Sequence, residues 1–495
     1  MTQFKDSSVK NNIAWTLASN VLPFLAGLFF FPRIVHSYGL EQFGLLTLAW
    51  ALIGYFSLFD LGLSRALTQL ISSALARQES EIKIAELIRT SFVVMWLLGI
   101  FSAILLWLLA PILINNFLKI DSNHAAESIF SFSLLSLAIP FVVHTAALRG
   151  TLEALHLFKV ASLIRAFLGV GTFLAPFIAS YYSVELSAAI ISLIVIRIIA
   201  WALHLWAVER SQILKVRTRH FLCDWLKPLF RFGGWMSVSN VISPLMVYMD
   251  RFLLASVLGA AITAYYVAPY EVVSKMLVIP AAFASVLFPW FAKNYEIDPL
   301  QAAEKLNQAV LYTLILLFGP ALVLSFFAQY WLTVWLGPAF GEQGQGTVIW
   351  LCAGVLTNGV AQILFAKVQG AGLSAWTAKL HLLEVIPYLG LLWFSLNEWG
   401  ITGAAFAWFV RVLIDLIGLA YFTHRINTLG TPKVIKKISL LLICVGIILI
   451  PLTPLPPTAK WILLIIISCS YAGYSLKQLH HDHALNWLLS FKRKY

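Results

Sequence analysis

The chain has 495 residues and a formal charge of +12; 60% of its residues are hydrophobic, only 11% are charged, and the mean hydropathy is +0.85. Soluble proteins carry about 25% charged residues, so this composition excludes a large soluble domain and points to a membrane protein with many spans. The basic residues lie in short connections between apolar runs, a pattern of membrane topology and not of a nucleic-acid surface.

Apolar runs of about 20 residues are long enough to cross a ~30 Å hydrocarbon core as helices. Fourteen such runs are predicted: 12–35, 42–64, 88–114, 128–149, 157–181, 184–207, 229–257, 262–290, 307–336, 346–367, 375–397, 401–424, 436–453 and 459–477. Lipid offers no partner to a strand edge, so the runs are read as helices. The first has no small-residue cleavage site and is expected to be retained as a span. Pro23, Pro140, Pro176, Pro244, Pro280, Pro320 and Pro387 fall inside spans and predict kinks. Alternate connections are basic. Arg77, Lys83 and Arg89 lie in one, Lys159 in the next, then Arg210, Lys215, Arg217, Arg219 and Lys227. Lys293 and Lys305 follow, and after them Arg425, Lys433, Lys436 and Lys437. The other connections and their margins hold only Arg33, Lys119, Arg251 and Lys460. The positive-inside rule then puts both termini in the cytoplasm.

The chain also repeats itself. Trp15, Ser19, Asn20, Val21 and Leu25 recur as Trp235, Ser239, Asn240, Val241 and Leu245, at an offset of 220 residues. The same offset relates Gly39 to Gly259, Gly150 to Gly370 and Lys159 to Lys379. We read an internal duplication. Six spans separate the copies, an even number, so the repeat is parallel, about an axis along the membrane normal. The expected fold is an all-α polytopic membrane protein of about 14 transmembrane helices. Residues 1–208 form an N-terminal six-helix lobe and 209–228 a basic cytoplasmic connection. Residues 229–425 form a C-terminal six-helix lobe, and 426–495 add two helices and a cytoplasmic tail.

Little in the sequence suggests catalysis. Cys223, Cys352, Cys444 and Cys469 form no CxxC and are expected to be free thiols. The glycine-rich GEQGQG of Gly341–Gly346 has no following Lys-Ser/Thr and reads as a turn. The HHDH run at His480–His483 reads as a solvated tail segment and not a metal site. His36, His144, His204 and His381 stand alone and are expected to be packed or interfacial. The basic and aromatic segment His220–Trp235 reads as interfacial, leading into the seventh span. No cofactor, metal or nucleic-acid partner is expected.

The informative residues are charges inside apolar spans, each costing at least ~2.5 kcal/mol at the bilayer centre unless it meets a cavity or a partner. Arg65 follows Asp60 on the second span. Glu271 and Lys275 lie four apart, as do Arg411 and Asp415, so each pair shares a helix face. Either pair can be a neutralised structural contact. Arg65 and Arg197 have no opposite charge at helical spacing and are cavity candidates, with snorkelling open for Arg65. Asp250-Arg251 ends the seventh span and Arg33 the first.

The run PRIVHSYGLEQFGLLTLAWALIGYFSLFDLGLSRALTQLISSALAR resembles the opening of the O-antigen and polysaccharide lipid flippase family, in the multidrug/oligosaccharidyl-lipid/polysaccharide exporter superfamily. The matching positions are Gly39, Phe43-Gly44 and Asp60-Leu61-Gly62-Leu63, then Arg149-Gly150, then Gly400-Ile401-Thr402-Gly403-Ala404-Ala405. The similarity spans roughly residues 10–425. It implies two six-helix lobes in a V that open alternately to either side. It also implies an undecaprenyl-diphosphate-linked oligosaccharide moved across a bacterial inner membrane. Fourteen spans also occur in the lipid II flippase branch, so the branch stays open.

For such a cargo, Arg65, Lys275, Arg197, Arg411 and Arg149 are the candidates for holding the anionic head group. Asp60, Asp250, Glu271 and Asp415 are candidate charge partners or sites for a coupling H+ or Na+. Partners expected besides the lipid-linked substrate are membrane lipids and a polysaccharide polymerase with chain-length machinery. Other readings are a cation-coupled drug antiporter, which predicts a net-negative cleft, and a membrane-embedded polymerase or ligase, which needs a long catalytic loop. A passive scaffold is a further alternative, which duplicated lobes and buried charges disfavour.

Overall fold

Apolar sequence in lipid must satisfy its backbone internally, and the chain does so as helix almost throughout. The computed structural model describes residues 9–56, 63–120, 122–155, 157–211, 246, 248–294, 297–426 and 431–481. Among them there is no strand, and ten helices are long and apolar enough to cross a membrane. The chain separates into two compact units, 1–268 and 269–495. The second copy of the Trp15–Leu25 repeat, the 212–228 connection, the His220–Trp235 segment and most of the tail lie outside the described residues.

In the first unit the helices are α1 (Val9–Phe56), α2 (Leu63–Ala76), α3 (Glu81–Ile112), α4 (Ser122–Leu135), α5 (Ile139–Ala154), α6 (Phe158–Ala179) and α7 (Leu186–Arg210). A further helical stretch covers 248–257, and α8 (Ala260–Val273) follows it. α1 covers two predicted spans in one run. The connection predicted between them shrinks to Gly39, whose φ of 73° and ψ of 172° belong to a region that side chains with a Cβ avoid. Pro140 follows a tight 3-10 turn, Ser136–Ala138, that separates α4 from α5. With no N–H to place, a proline is tolerated in the first turn of the helix it begins.

Small residues let these helices approach, as is usual in membranes. Gly169 of α6 faces the ring of Pro23 in α1, and Gly99 of α3 faces Pro140. The core between α1 and α6 is aromatic: Phe31 lies 5.3 Å from Phe43 and 5.6 Å from Phe173, and Trp50 lies 5.3 Å from Phe173. Tyr38 donates its hydroxyl to the Pro176 carbonyl at 3.0 Å, so a buried phenol is satisfied by a backbone oxygen of α6.

The second unit holds α9 (Val278–Asn294), α10 (Pro299–Phe326), α11 (Ala328–Leu336), α12 (Pro338–Gly370), α13 (Ser374–Ile426), α14 (Thr431–Ile448) and α15 (Pro457–His481). Asp298 caps α10, its carboxylate accepting from the Gln301 amide at 2.9 Å. α12 is central, packed by α9, α10, α11 and α13. Trp408 of α13 fills the space left by Gly354, and Leu317 of α10 that left by Gly359. α13, like α1, joins two predicted spans, turning at Gly400. α15 rests on α10: Tyr471 donates to the Ile315 carbonyl at 2.5 Å beside Gly319, and Trp461 meets Phe327.

The GEQGQG stretch is not a turn. Gly341–Gly346 lies within the first turns of α12. Its glycines serve close packing instead: Gly341 abuts Thr333 and the Gln329 carbonyl of α11, and Gly346 abuts Thr402. Cys352 and Cys444 are buried free thiols and Cys469 is an exposed one.

Candidate functional site

In the first unit, α5 and α6 form a hairpin that brings Arg149, Glu153 and Arg165 together. Arg165 Nη2 lies 3.1 Å from Glu153 Oε1, and Arg149 Nε lies 3.8 Å from the same oxygen. Two guanidinium groups share one carboxylate, leaving one positive charge in excess. All three side chains are part-exposed, at 43%, 31% and 33%, so they are open to a ligand. Thr68 of α2 donates to the Gly150 carbonyl at 3.1 Å and so ties α2 to this hairpin. Arg65 sits on α2 one turn before Thr68; its side chain is outside the described ones. Asp60 also lies outside the described residues.

Arg197 is half-buried halfway along α7, its Nε buried and without a hydrogen bond to any described residue. Asp250 is 1% exposed and enclosed: Tyr266 donates to Oδ2 at 2.7 Å, and the Arg251 amide donates to Oδ1 at 2.7 Å. His144 and His204 are packed, as their isolation in sequence predicts. Trp201 Nε1 donates to His144 Nδ1 at 2.9 Å, and His204 Nδ1 donates to the Ala200 carbonyl at 2.8 Å.

In the second unit, Lys275 Nζ meets Glu271 Oε2 at 3.1 Å, a part-exposed pair one helical turn apart. Arg411 does not pair with Asp415, its neighbour at i+4. It reaches Glu384 across the α13 turn, Nε to Oε2, at 3.5 Å. Asp415 instead lies 3.6 Å from His381 Nε2. His381, expected to stand alone, is thus part of a four-member ionisable group. Its ring also stacks on Phe365 of α12, 6.0 Å between centroids and 9° between planes.

Sequence reasoning missed Glu384, His381, Glu153 and Arg165. Their contacts Glu153–Arg165, Glu384–Arg411 and His381–Asp415 join residues 12 to 34 apart across a turn, where spacing on one helix gives no signal; Arg149–Glu153 alone is an i,i+4 pair that spacing could have shown. A cross-hairpin count would find them. Residues on the two arms that flank the Gly400 turn meet, as do those on either side of the α5–α6 corner.

Helical spans packed through glycine, with buried or half-buried charges, define a polytopic membrane protein. A multidrug resistance MATE family transporter of the MOP superfamily superimposes with a TM-score of 0.71 at 14% identity, covering 82% of this chain and 94% of that one. The lipid II flippase MurJ superimposes at 0.70 and 14% identity, covering 94% of this chain and 99% of that one. These likenesses establish the fold. Residues 9–295 match the family described as "Polysaccharide biosynthesis protein". A Shigella flexneri protein named as an O-antigen transporter is 31% identical over 419 residues, 85% of this chain and 98% of that protein. The chain belongs to the polysaccharide biosynthesis protein family, and the relatives named here are transporters and flippases, not enzymes.

Proposed function

We propose that the protein is a flippase carrying an undecaprenyl-diphosphate-linked oligosaccharide, such as an O-antigen repeat unit, across a bacterial inner membrane by alternating access. The observation that carries this reading is the charge excess at Arg149, Glu153 and Arg165, two part-exposed guanidinium groups on one carboxylate. A pyrophosphate is a doubly charged anion with oxygens spaced for forked Arg contacts. Arg65 lies in sequence one turn before Thr68, which contacts Gly150, and Arg197, whose buried Nε has no hydrogen bond among the described residues, supplies a further cation within the span. Lys275 and Arg411, in the second unit, are further candidate cations for an anionic head group once their carboxylates release them. Asp60, Asp250, Glu271 and Asp415 act as charge partners or carry the coupling H+ or Na+.

The duplicated organisation supports this reading. Gly39 and Gly259, 220 residues apart, both hold positive φ, 73° and 93°. Two lobes of six helices, 1–208 and 229–425, with two added helices and both termini cytoplasmic, follow from the repeat and the loop charges. The relative from Shigella flexneri supports a polysaccharide cargo. A polymerase and chain-length machinery then receive the product on the outer side.

The test is surface-polysaccharide output in cells lacking the native gene and expressing variants at equal level. Arg65→Ala and Lys275→Ala are each expected to reduce it at least tenfold. Normal output from both removes the cationic reading.

A further inference from the structure

We propose that His381, Glu384, Arg411 and Asp415 form one intramembrane site that binds a single proton on Glu384 and excludes a metal cation. This rests on the transporter reading above and assigns it an ion and a residue.

The four side chains are buried, with exposures of 10%, 3%, 8% and 14% in that order. They lie roughly 15 to 30 Å along the helix from the Gly400 turn, at 1.5 Å per residue, within the hydrocarbon zone. Their contacts, 3.5 and 3.6 Å, are ion-pair distances longer than good hydrogen bonds. Both oxygens of Glu384, Arg411 Nε, His381 Nδ1 and Asp415 Oδ1 are buried and make no hydrogen bond among the described residues.

A charge count gives the consequence. With both carboxylates ionised and the imidazole neutral, the group carries one net negative charge. A buried net charge is costly, whereas a neutral group is tolerated. One proton taken from hydronium, which leaves as water, brings the group to zero without breaking any bond in the chain. Glu384 is the group that takes it, because its carboxylate is the most buried of the group and neither of its oxygens accepts a hydrogen bond from a described residue, so burial outweighs the guanidinium 3.5 Å away. Once Glu384 is neutral, Arg411 loses its 3.5 Å carboxylate contact, and Asp415, one turn along the same helix, is the charge that balances it. Proton binding and loosening of the Arg411–Glu384 contact are therefore one event.

A metal ion fits poorly. It would use the Glu384 oxygens, which already face a guanidinium that never deprotonates and has no lone pair to offer. Among the described residues, no three His, Cys, Asp or Glu side chains converge as metal ligands. Among the described residues, the surroundings add no competing carboxylate. α12 contributes the Phe365 ring. Its buried Lys367, two residues on, is about 200° around that helix. α13 itself adds Tyr388, buried one turn past Glu384, and the exposed Lys379. α14 carries Lys433, Lys436 and Lys437 in its first two turns and a buried thiol at Cys444.

The experiment is infrared difference spectroscopy of the full-length protein in lipid nanodiscs, comparing neutral with acidic buffer. A protonated-carboxyl band is expected on acidification, lost in Glu384→Gln and retained in His381→Gln. Should Glu384→Gln fail to fold, Glu384→Asp is expected to move the band in frequency. Adding sodium chloride in place of choline chloride at fixed pH is expected to leave the wild-type band unchanged. A band indifferent to both Glu384 variants overturns the proton assignment, and a band abolished by sodium overturns the exclusion of metal. No substrate enters this measurement. Its failure leaves the polysaccharide reading standing, and normal output from Arg65→Ala and Lys275→Ala leaves the band standing.

Discussion

Gly150 of α5 lies directly on Thr68 of α2: a Cβ at the glycine would stand 2.8 Å from Thr68 Oγ1 and 2.8 Å from the Ser64 carbonyl oxygen. At the 220-residue offset, Gly370 of α12 lies on Phe288 of α9, where a Cβ would stand 3.0 Å from the Phe288 carbonyl oxygen. Both members of the contact obey the repeat, which supports duplication of a packed unit and not of isolated motifs. Gly150→Val and Gly370→Val are each expected to destabilise by about 1–3 kcal/mol through overpacking. Gly390 has open space around it within α13, so Gly390→Ala is expected to be neutral or to stabilise by about 0.5–1 kcal/mol. Thermal unfolding in detergent checks all three. Equal losses at all three sites would remove the packing account.

The corners give a second expectation of a different origin. Gly39 has nothing within 4 Å of an added Cβ, so space is not what demands glycine there. Its φ of 73° with ψ of 172° is the constraint. Gly39→Ala is therefore expected to cost about 1–3 kcal/mol of backbone strain despite the empty surroundings. Unfolding of this variant beside Gly390→Ala separates strain from packing, since both positions are open. No difference between them would mean that the corner relaxes.

Glu153 holds two arginines, yet its pairs are part-exposed, so their worth to stability is small, about 0–1 kcal/mol. Function is where they are expected to count. Arg149→Ala with Arg165→Ala is expected to lower surface-polysaccharide output at least tenfold while the protein unfolds at nearly the wild-type temperature. Glu153→Gln frees both guanidinium groups and is expected to tighten binding of undecaprenyl diphosphate by the purified protein. A double alanine variant that loses its fold would place these residues in the architecture instead.

Periodicity and loop charge made the helices legible, and the glycines that turn α1 and α13 were already visible as Gly39 and Gly400. Lone charges in apolar runs pointed to Arg197, Arg411 and Asp415, which lie inside α7 and α13 as buried or half-buried side chains. The pairing was not legible. Helical spacing joins Arg411 to Asp415, but the contact that forms joins Arg411 to Glu384 on the arm of α13 before Gly400, because antiparallel neighbours offer more partners than one face does. For the same reason His381 looked solitary. Gly341–Gly346 misled because glycine at a turn and glycine at a tight helix crossing look alike in sequence; only the neighbours Thr333 and Thr402 distinguish them.

Asp250 and Tyr266 are both nearly without exposure, and their 2.7 Å contact supplies the carboxylate with a side-chain donor. A hydrogen bond to a charged group contributes about 1.5–3 kcal/mol, and a buried acceptor left without its donor bears the desolvation cost in full. Tyr266→Phe is accordingly expected to destabilise by about that amount with no loss of volume. Asp250→Asn keeps an acceptor for the phenol and removes the charge, so it is expected to cost less. The double variant settles the origin: if the contact carries the energy, Asp250→Asn combined with Tyr266→Phe falls short of the sum of the two single losses by at least about 0.5 kcal/mol. Strict additivity would instead assign the loss to packing around the ring.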